Sequence, residues 1–536
     1  MSENNMPPGL PPLSEPNNNP EITFSEIVNH VNGIFEQGRP LPHGEILGRL
    51  LEKVERIDFQ LLAFPEIFQL CNELNKLESQ LTGENGVLQD DQVTREKIKA
   101  LKSQLDKKKL KQPHYLIISI EQILALAIQN QWDICRKHSF IYLFNGAYWS
   151  LLDDNELKTF LGKAAEQMGV EKFKARYYQF RDHLFKQFLA TAHLPTPERP
   201  KDAVFVNLQN GTFEITGQGT RLREFRREDF ITYQLPFEYD ETAKAPLFEQ
   251  YLNRVLPDKD RQKILAEYLG YVFILPSTLK LEKTLLLYGT GANGKSVFFE
   301  IVNALLGSEN VSSYSLQSLT NDTGYFRAKL ANMLVNYASE INGNLETSIF
   351  KQLVSGEPVE ARLPYGEPFT LTHYAKLIFN CNELPKDVEH SNAYFRRFLI
   401  VPFDVTVPEA EQDKELAGKI IKQELSGVFN WVLDGLNRLL GQKQFTDCEA
   451  VRLQLEQYKK QSDSVQMFLE DYNYVASSSN YKAVKDLYCE YRVFCQDAGY
   501  KPVNNINFKK RLQAASIVIE KKNIGQVAFV GRGQTF

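Results

Sequence analysis

The sequence predicts an α/β protein built around a parallel sheet, with helical and mixed regions before the sheet and a small domain after it. Three observations predict this. An apolar run, Thr284 to Tyr288, is followed by a glycine-rich turn and then by helical periodicity from Val297 to Leu306. Three further apolar runs of strand length follow, Met333–Tyr337, Ala375–Asn380 and Leu399–Pro402. Long segments of helical periodicity flank this block on both sides.

At 536 residues, the chain has room for three or four domains. Residues 1–20 are polar and rich in Pro and Asn, and read as a disordered tail. They contain no apolar signal core, so export is not expected and the cytoplasm of a host cell, or its nucleoid, is the expected location. Residues 21–112 read as helical. Leu70, Leu74, Leu77 and Leu81 recur at helical spacing, as do Ile98, Leu101 and Leu105, with a break at Thr82–Gly86, so a helical hairpin is expected. A basic run, Lys107-Lys108-Lys109-Leu110-Lys111, then leads to Pro113 and suggests a boundary.

Residues 113–275 read as mixed α/β. Phe140–Phe144 and Ala147–Leu151 flank Asn145-Gly146, and Val204–Val206 and Thr212–Ile215 flank Asn210-Gly211, two hairpin signals. Between them, Glu171 to Phe188 reads as one helix with Phe173, Tyr177, Phe180, Leu184 and Phe188 on one face and lysines and arginines on others. Aromatic rings and basic side chains together would suit single-stranded DNA. A core stripe explains the same pattern, and we expect the core.

Residues 276–443 form the sheet block, ending in two helices, Lys414–Leu425 and Val428–Leu440. Residues 444–536 read as helices over 466–472, 484–498 and 507–515, then two short strands over 517–520 and 527–530. That order fits a winged helix, with Lys509, Lys510 and Arg511 on its recognition helix as DNA contacts.

The turn itself carries the chemistry. Gly289, Thr290, Gly291, Ala292, Asn293, Gly294, Lys295 and Ser296, continuing into Val297, match the phosphate-binding P-loop between a strand and a helix. Backbone N–H groups must approach phosphate oxygens closely, which Cβ atoms at the tight positions would prevent. Lys295 would reach the β- and γ-phosphates of ATP, and Ser296 would place its hydroxyl on Mg²⁺. The helix N-terminus adds its positive end.

Glu340 follows Ser339 at the tip of the second strand. There a carboxylate can orient the attacking water and help hold Mg²⁺ through its shell. Ser339 occupies the place where many such proteins carry an Asp, which weakens direct carboxylate support for the metal. Asn382, just past the third strand, can hydrogen-bond the γ-phosphate or the water and is preferred to Asn380. Arg396 and Arg397 precede the fourth strand and can stabilise charge on a transferring phosphoryl group, from a neighbouring subunit in a ring. Pro358 to Thr370 reads as a hairpin with Arg362 on one arm and Tyr365 near its tip. It is placed to project into a pore and grip DNA phosphates.

Composition limits the alternatives. A net charge of −5 excludes a globally basic nucleic-acid coat, so any nucleic-acid site must be a local patch or channel. No apolar run is long enough to span a bilayer. Six cysteines stand without a C-x-x-C pair and read as reduced thiols.

These motifs in this order resemble the superfamily 3 helicases of the phage and plasmid primase–helicase family, related to the poxvirus primase–helicase. The resemblance rests on Gly289–Ser296, Ser339-Glu340, Gly356–Arg362, Phe379–Pro385 and Tyr394–Phe398. It extends to Val204–Gly211, Phe237–Asp240, Glu267–Tyr271 and a tail from about Ser464, so that it covers about residues 113–536. It implies an AAA+ ATPase core in a hexameric ring that hydrolyses ATP between subunits and moves 3′ to 5′ on DNA, single-stranded or forked. Lys295, Ser296, Glu340 and Asn382 would act from one subunit and Arg396 or Arg397 from the next. Two departures stand out. Residues 1–112 are too short and too helical for a primase domain and show no acidic metal cluster, so priming is not expected of this chain. Gly366 stands where a lysine is common in the hairpin, which leaves Arg362 as the main grip.

The expected function is therefore a replicative DNA helicase of a phage, plasmid or integrated element. A primase or other replication partner would dock on the N-terminal helices. A ring ATPase that loads or remodels origin proteins without unwinding is one alternative. An origin-binding protein whose nucleotide sets its oligomeric state, without enzymatic work, is the other.

Overall fold

The structure is a computed structural model that describes residues 40–81, 92–137, 140–193, 203–339, 341, 345–364, 366–385 and 388–533. The expected tail 1–20, the break at Thr82–Gly86, Glu340 and Tyr365 lie outside the described residues.

Helices Ile67–Leu81 and Gln92–Lys107 pack on each other as the expected hairpin. Ile98 and Leu101 are buried, Leu70, Leu74, Leu77, Leu81 and Leu105 half-buried, and Lys102 meets Glu78 at 2.8 Å on the outer side. The next helix, Gln112–Gln129, starts with Pro113 in its first turn, where a missing N–H costs nothing. It leads to an antiparallel sheet of β1 (Asp133–Lys137), β2 (Phe140–Phe144) and β3 (Trp149–Leu151).

The packing divides the chain differently from the expected unit 113–275. Ile46, Leu47, Leu50 and Phe59 from the N-terminal helices share one core with Ile120, Ile123, Leu157, Phe160, Leu184 and Phe188. The segment from residue 203 joins another core. β4 (Val204–Leu208), β5 (Gly211–Thr216) and β6 (Gly219–Arg223) form an antiparallel sheet. Its inward residues Val206, Leu208 and Phe213 lie in one cluster with Leu252, Leu269, Leu285, Leu287, Ile301, Val432 and Leu436. A three-stranded sheet must bury an apolar face somewhere, and helices Pro246–Val255, Lys259–Tyr271 and Leu425–Gln442 supply the cover.

The central sheet has five parallel strands: β7 (Thr284–Tyr288), β8 (Val311–Ser312), β9 (Val335–Ser339), β12 (Lys376–Cys381) and β13 (Phe398–Pro402), in the order β13-β7-β12-β9-β8. All of its pairings are parallel, and the apolar runs read as buried strands because both faces are covered. The hairpin between β9 and β12 is β10 (Val359–Arg362) paired with β11 (Pro368–Leu371).

Helices Lys259–Tyr271 and Leu425–Gln442 cross closely beneath this sheet. A Cβ on Gly435 would stand 2.3 Å from the Ala266 carbonyl carbon, and one on Gly270 2.7 Å from Leu436 Cβ. Overpacking of this kind costs about 1–3 kcal/mol. Buried Glu267 staples the pair, accepting from Arg438 Nε at 2.7 Å and from the Thr446 N–H at 2.8 Å.

Two further expectations are corrected. Helix Glu449–Gln461 was not expected, and it packs on β13, with Tyr458 buried among Phe395, Phe398 and Tyr394. The C-terminal unit therefore begins near residue 462 rather than 444. The expected single helix over 171–188 is broken. Glu171 caps a short helix, Lys172–Arg176, by accepting from the Phe173 and Lys174 N–H groups. Tyr177 is extended (φ −68°, ψ 129°), and a second helix runs Tyr178–Thr191. The residues after the break, Phe180, Leu184 and Phe188, are core as expected, whereas Phe173 and Tyr177 are exposed.

The last unit consists of helices Ser464–Asp471, Val484–Ala498 and Asn505–Ala514, followed by β16 (Ile519–Lys522) and β17 (Gly525–Ala528). The short strands β14 (Tyr474–Ala476), β15 (Lys482–Ala483) and β18 (Val530–Arg532) complete two small sheets, β15-β17-β16 and β14-β18.

Candidate active site

Parallel register brings the tips of three strands side by side. Tyr288 pairs with Cys381, and Ser339 with Asn380, so the loop 289–294, Ser339 and Asn382 share the C-terminal edge of the sheet. That edge is where open α/β sheets hold ligands. The loop's backbone requires glycine. Gly291 has φ +116° and Gly294 φ +86°, and a Cβ on Gly294 would lie 2.7 Å from Val255 Cγ1. A Cβ on Gly289 would meet the Phe403 carbonyl oxygen at 2.6 Å. Tyr251 fixes the loop from outside by donating its hydroxyl to the Gly294 carbonyl at 2.8 Å, and Asn293 Nδ2 donates to the Phe403 carbonyl at 3.1 Å.

Lys295 opens helix Lys295–Leu306 and is buried. Its ammonium folds back onto the loop, donating to the Gly289 carbonyl at 2.6 Å and to Asn293 Oδ1 at 3.0 Å. Burial lowers its pKa, and the nearby Cys381 thiol offsets this in part. A phosphate in the loop would replace two neutral acceptors by an anion, and charge-assisted bonds are about twice as strong as neutral ones. Burial pushes the Cys381 thiol up to about 12, so it stays protonated and inert.

The cavity above the loop has a volume of about 690 Å³. Gly291–Val297, Ser339 and Asn382 line its polar side. Leu247, Val255, Val407 and Leu416 line an apolar side. Ser296 is exposed beside Lys295, as a metal-holding hydroxyl must be. Asn380 and Asn382 differ in what surrounds them. Asn380 Oδ1 accepts from Tyr337 at 3.0 Å, whereas Asn382 stands exposed past the strand end. The apolar wall was not expected from sequence. Its helices, Pro246–Val255 and Leu416–Gln423, come from opposite sides of the sheet block, and Glu424 joins them by accepting from the Leu247 and Phe248 N–H groups at 3.0 and 2.9 Å. The aliphatic stripe facing the loop carries no motif, so only the fold assembles it.

Arg396 and Arg397 lie at the other edge of the sheet. Phe398 pairs with Thr284, and the Thr284 N–H donates to the Arg397 carbonyl at 2.8 Å. The five residues of β7 separate them from the loop, roughly 16 Å along the strand. The two side chains differ. Arg396 is 57% exposed and meets Glu282 at 2.9 Å. Arg397 is 8% exposed, donates to Ser355 Oγ at 2.9 Å and to the Ala393 carbonyl, and leaves its Nε–H without a partner.

On the hairpin, Arg362 is exposed and its Nε donates to the Gly366 carbonyl across the turn at 2.8 Å. The hairpin base is held by Arg327, a residue with no sequence signal. Buried, with its pKa lowered by desolvation, it donates to the carbonyls of Glu360 at 2.7 Å and Leu319 at 3.2 Å, and to that of Asn321. In the C-terminal unit, Lys510 is exposed and Lys509 Nζ donates to Gln526. Arg511, partly exposed, faces Asp463 at 3.1 Å. Among the described residues no cluster of three or more His, Cys, Asp or Glu could hold a metal, and no helix is long and apolar enough to cross a membrane. None of the six cysteines is disulfide-bonded.

A glycine-loop site on a five-stranded parallel sheet, with a paired-strand hairpin inserted before the third of its long strands, defines the class. Comparisons with known proteins place domains on either side of it. Residues 121–257 match the family model described as "D5 N terminal like", and residues 460–528 the one described as "Poxvirus D5 protein-like". Between them, residues 287–397 match a family of unknown function, DUF5906. Two segments of the chain are therefore similar to D5-type proteins, in line with the resemblance to the primase–helicases. An Acanthamoeba polyphaga mimivirus protein named as a putative helicase is 24% identical over 239 residues, covering 42% of this chain. The match spans 24% of that relative's length. Among solved structures, an apo form of the NrS-1 C-terminal region is similar at 12% identity and a TM-score of 0.44, covering 76% of this chain and 98% of that one. A second apo structure of the region covers 79% and 100%, with a TM-score of 0.43.

Proposed function

We propose that this chain is an ATP-dependent DNA helicase that acts in the replication of a phage, plasmid or integrated element. It works as a hexameric AAA+ ring moving on single-stranded DNA, 3′ to 5′. The observation that carries this reading is the buried Lys295 in a glycine loop that opens on a 690 Å³ cavity, with D5-type domains on both flanks.

The residues fit ATP with Mg²⁺. Loop amides from Gly289 to Lys295 and the Lys295 ammonium would bind the phosphates, and Ser296 would hold the metal. Mg²⁺ held through Ser296 would supply positive charge to offset the negative charge that builds up on the phosphates. Asn382 would hold the attacking water or the γ-phosphate, and Glu340, next in sequence after Ser339, would orient that water. The apolar wall of Leu247, Val255, Val407 and Leu416 would take the base. Arg396 is too far along the sheet to reach its own loop, so its charge would complete the site of an adjoining copy. The exposed Arg362 of the hairpin, together with Tyr365, would grip the strand in the pore. The helix-and-strand order after residue 462 supports a winged helix carrying Lys509 and Lys510 toward DNA. The N-terminal helices would receive a replication partner.

Expected are DNA-stimulated ATP hydrolysis and displacement of a strand from forked DNA, both abolished in Lys295→Ala. Displacement that survives that substitution sinks the proposal. ATP turnover without displacement by the unaltered chain would favour a loading ATPase instead.

A further inference from the structure

The break in the helix over 171–188 creates a surface that the activity above does not use. Phe173 is 79% exposed, Tyr177 51% and Tyr178 63%, a concentration of bare rings within six residues. Tyr177 and Tyr178 stand edge to face, ring centroids 5.0 Å apart. Tyr177 lies between two helices in extended backbone, so the three rings do not form one helical stripe that a partner helix could cover. Isolated exposed apolar side chains are ordinary, but three adjacent aromatics are not.

The surroundings are basic. Lys172 and Arg176 flank Phe173 and are exposed. Lys174 Nζ sits 4.0 Å over the Tyr115 ring, which ties this turn to the start of helix Gln112–Gln129. That helix begins at the end of the run Lys107–Lys111, and Gln112 bonds His183 of the following helix at 2.9 Å. Two basic segments that are some sixty residues apart in sequence thus meet on one side of the N-terminal unit. The acidic groups here are already engaged. Glu171 caps its helix, Glu166 pairs with Arg176 at 2.8 Å, and Asp182 pairs with Lys158 at 2.9 Å. In the first segment Lys108 pairs with Glu66 and Lys109 with Asp106 at 3.1 Å, whereas Lys111 and Lys172 lie exposed.

We infer that Phe173, Tyr177 and Tyr178 form a stacking step for a single-stranded polynucleotide on the N-terminal unit, outside the sheet that bears the nucleotide site. Aromatic faces take bases of any sequence, and the lysines of the two segments take the phosphates. The chemistry is complementary in both parts, rings for bases and ammonium groups for the backbone, which distinguishes this occupant from an apolar protein face. The step stands independently of ATP hydrolysis. It would hold a strand before or after the ring.

The test uses the full chain without nucleotide. Phe173→Trp places a fluorophore on the step, and oligo-dT, oligo-U and a blunt duplex are added in turn. The inference expects quenching of the new Trp by a single strand, DNA or RNA according to which arm responds, and weaker quenching by the duplex. In Tyr177→Ala/Tyr178→Ala on that background, the affinity read from the quench should fall at least fivefold, since each stacked base contributes a factor of that size or more. Tyr177→Phe/Tyr178→Phe should retain it. The quench should weaken as salt rises. A Trp signal indifferent to every polynucleotide overturns the inference, as does a quench that the double alanine leaves intact. Lys295→Ala should quench normally, so failure of the ATPase reading and failure of this one are separable.

Discussion

At the residue scale, the glycine loop was readable because its backbone leaves few choices. Gly294 must be glycine, with its positive φ and Val255 2.7 Å from any Cβ. The arginine pair was readable as a pair but not as two different residues, because adjacent positions on a turn face different ways and burial is set by what packs there. Arg396 faces solvent and Arg397 lies beneath helix Thr347–Ser355. Arg396→Ala is expected to leave nucleotide binding and melting temperature unchanged while ATP turnover falls by about a thousandfold, the usual scale for such an arginine. Arg397→Ala is expected to lower stability by about 1–3 kcal/mol, because its hydrogen bonds inside the protein are lost. Turnover assays beside thermal melts separate the two. An Arg396→Ala protein that melts early while its turnover per folded molecule is intact would reverse the assignment.

At the element scale, the strands that were expected lie within two residues of their places, because apolar runs of five with clear breaks have few other solutions, whereas the short or polar strands β1, β6, β8, β14, β15 and β18 carried no such signal. What sequence missed is what needs a neighbour to make sense. Helix Glu449–Gln461 is rich in charge, and only Tyr458 seated against Phe395 and Phe398 explains its place. The break at Tyr177 lacks a glycine or proline to announce it, since Glu171 caps the short helix and Tyr177 begins the next. Arg327 belongs to the same group: its three carbonyl partners come from two separate segments. Its replacement by leucine should loosen the base of the β10–β11 hairpin. ATP binding and unstimulated hydrolysis should survive in Arg327→Leu, while strand displacement and DNA stimulation fall. Undiminished displacement would show that the hairpin does not depend on this anchor.

At the scale of the whole molecule, the boundaries were least readable, because a shared core is a property of space and not of composition. Among the described residues, the C-terminal unit meets the sheet block through polar contacts around residue 462. There His390 Nε2 approaches the Ser462 carbonyl at 2.6 Å, and Asp463 lies between His390 and Arg511. Burial is the main cause lowering the pKa of His390 below 6.5, Arg511 adds to it, and Asp463 opposes. The unfolded state therefore binds more protons than the folded one just below pH 6.5. Stability from this site is fully present above pH 6.5 and is lost as pH falls through the folded-state pKa. The pKa of half-buried His43, near the other end of the described chain, is lowered in the same sense by desolvation. Melting temperature should drop between pH 7.5 and 5.5, and His390→Gln should flatten part of that slope. An unchanged slope would remove His390 from the account.

The sheet's core is closed by helices that precede it by a few tens of residues and by one that follows it, Leu425–Gln442. During synthesis, β7 and its neighbours leave the ribosome long before that last helix does, and translation proceeds at about 5–20 residues per second. For several seconds the nascent chain carries a bare leucine-rich surface around Leu265, Leu269 and Leu287 in the crowd of the cell. Its maturation therefore favours an attending chaperone, and a chain ended before Leu425 is expected to aggregate, as light scattering of the truncated product would show.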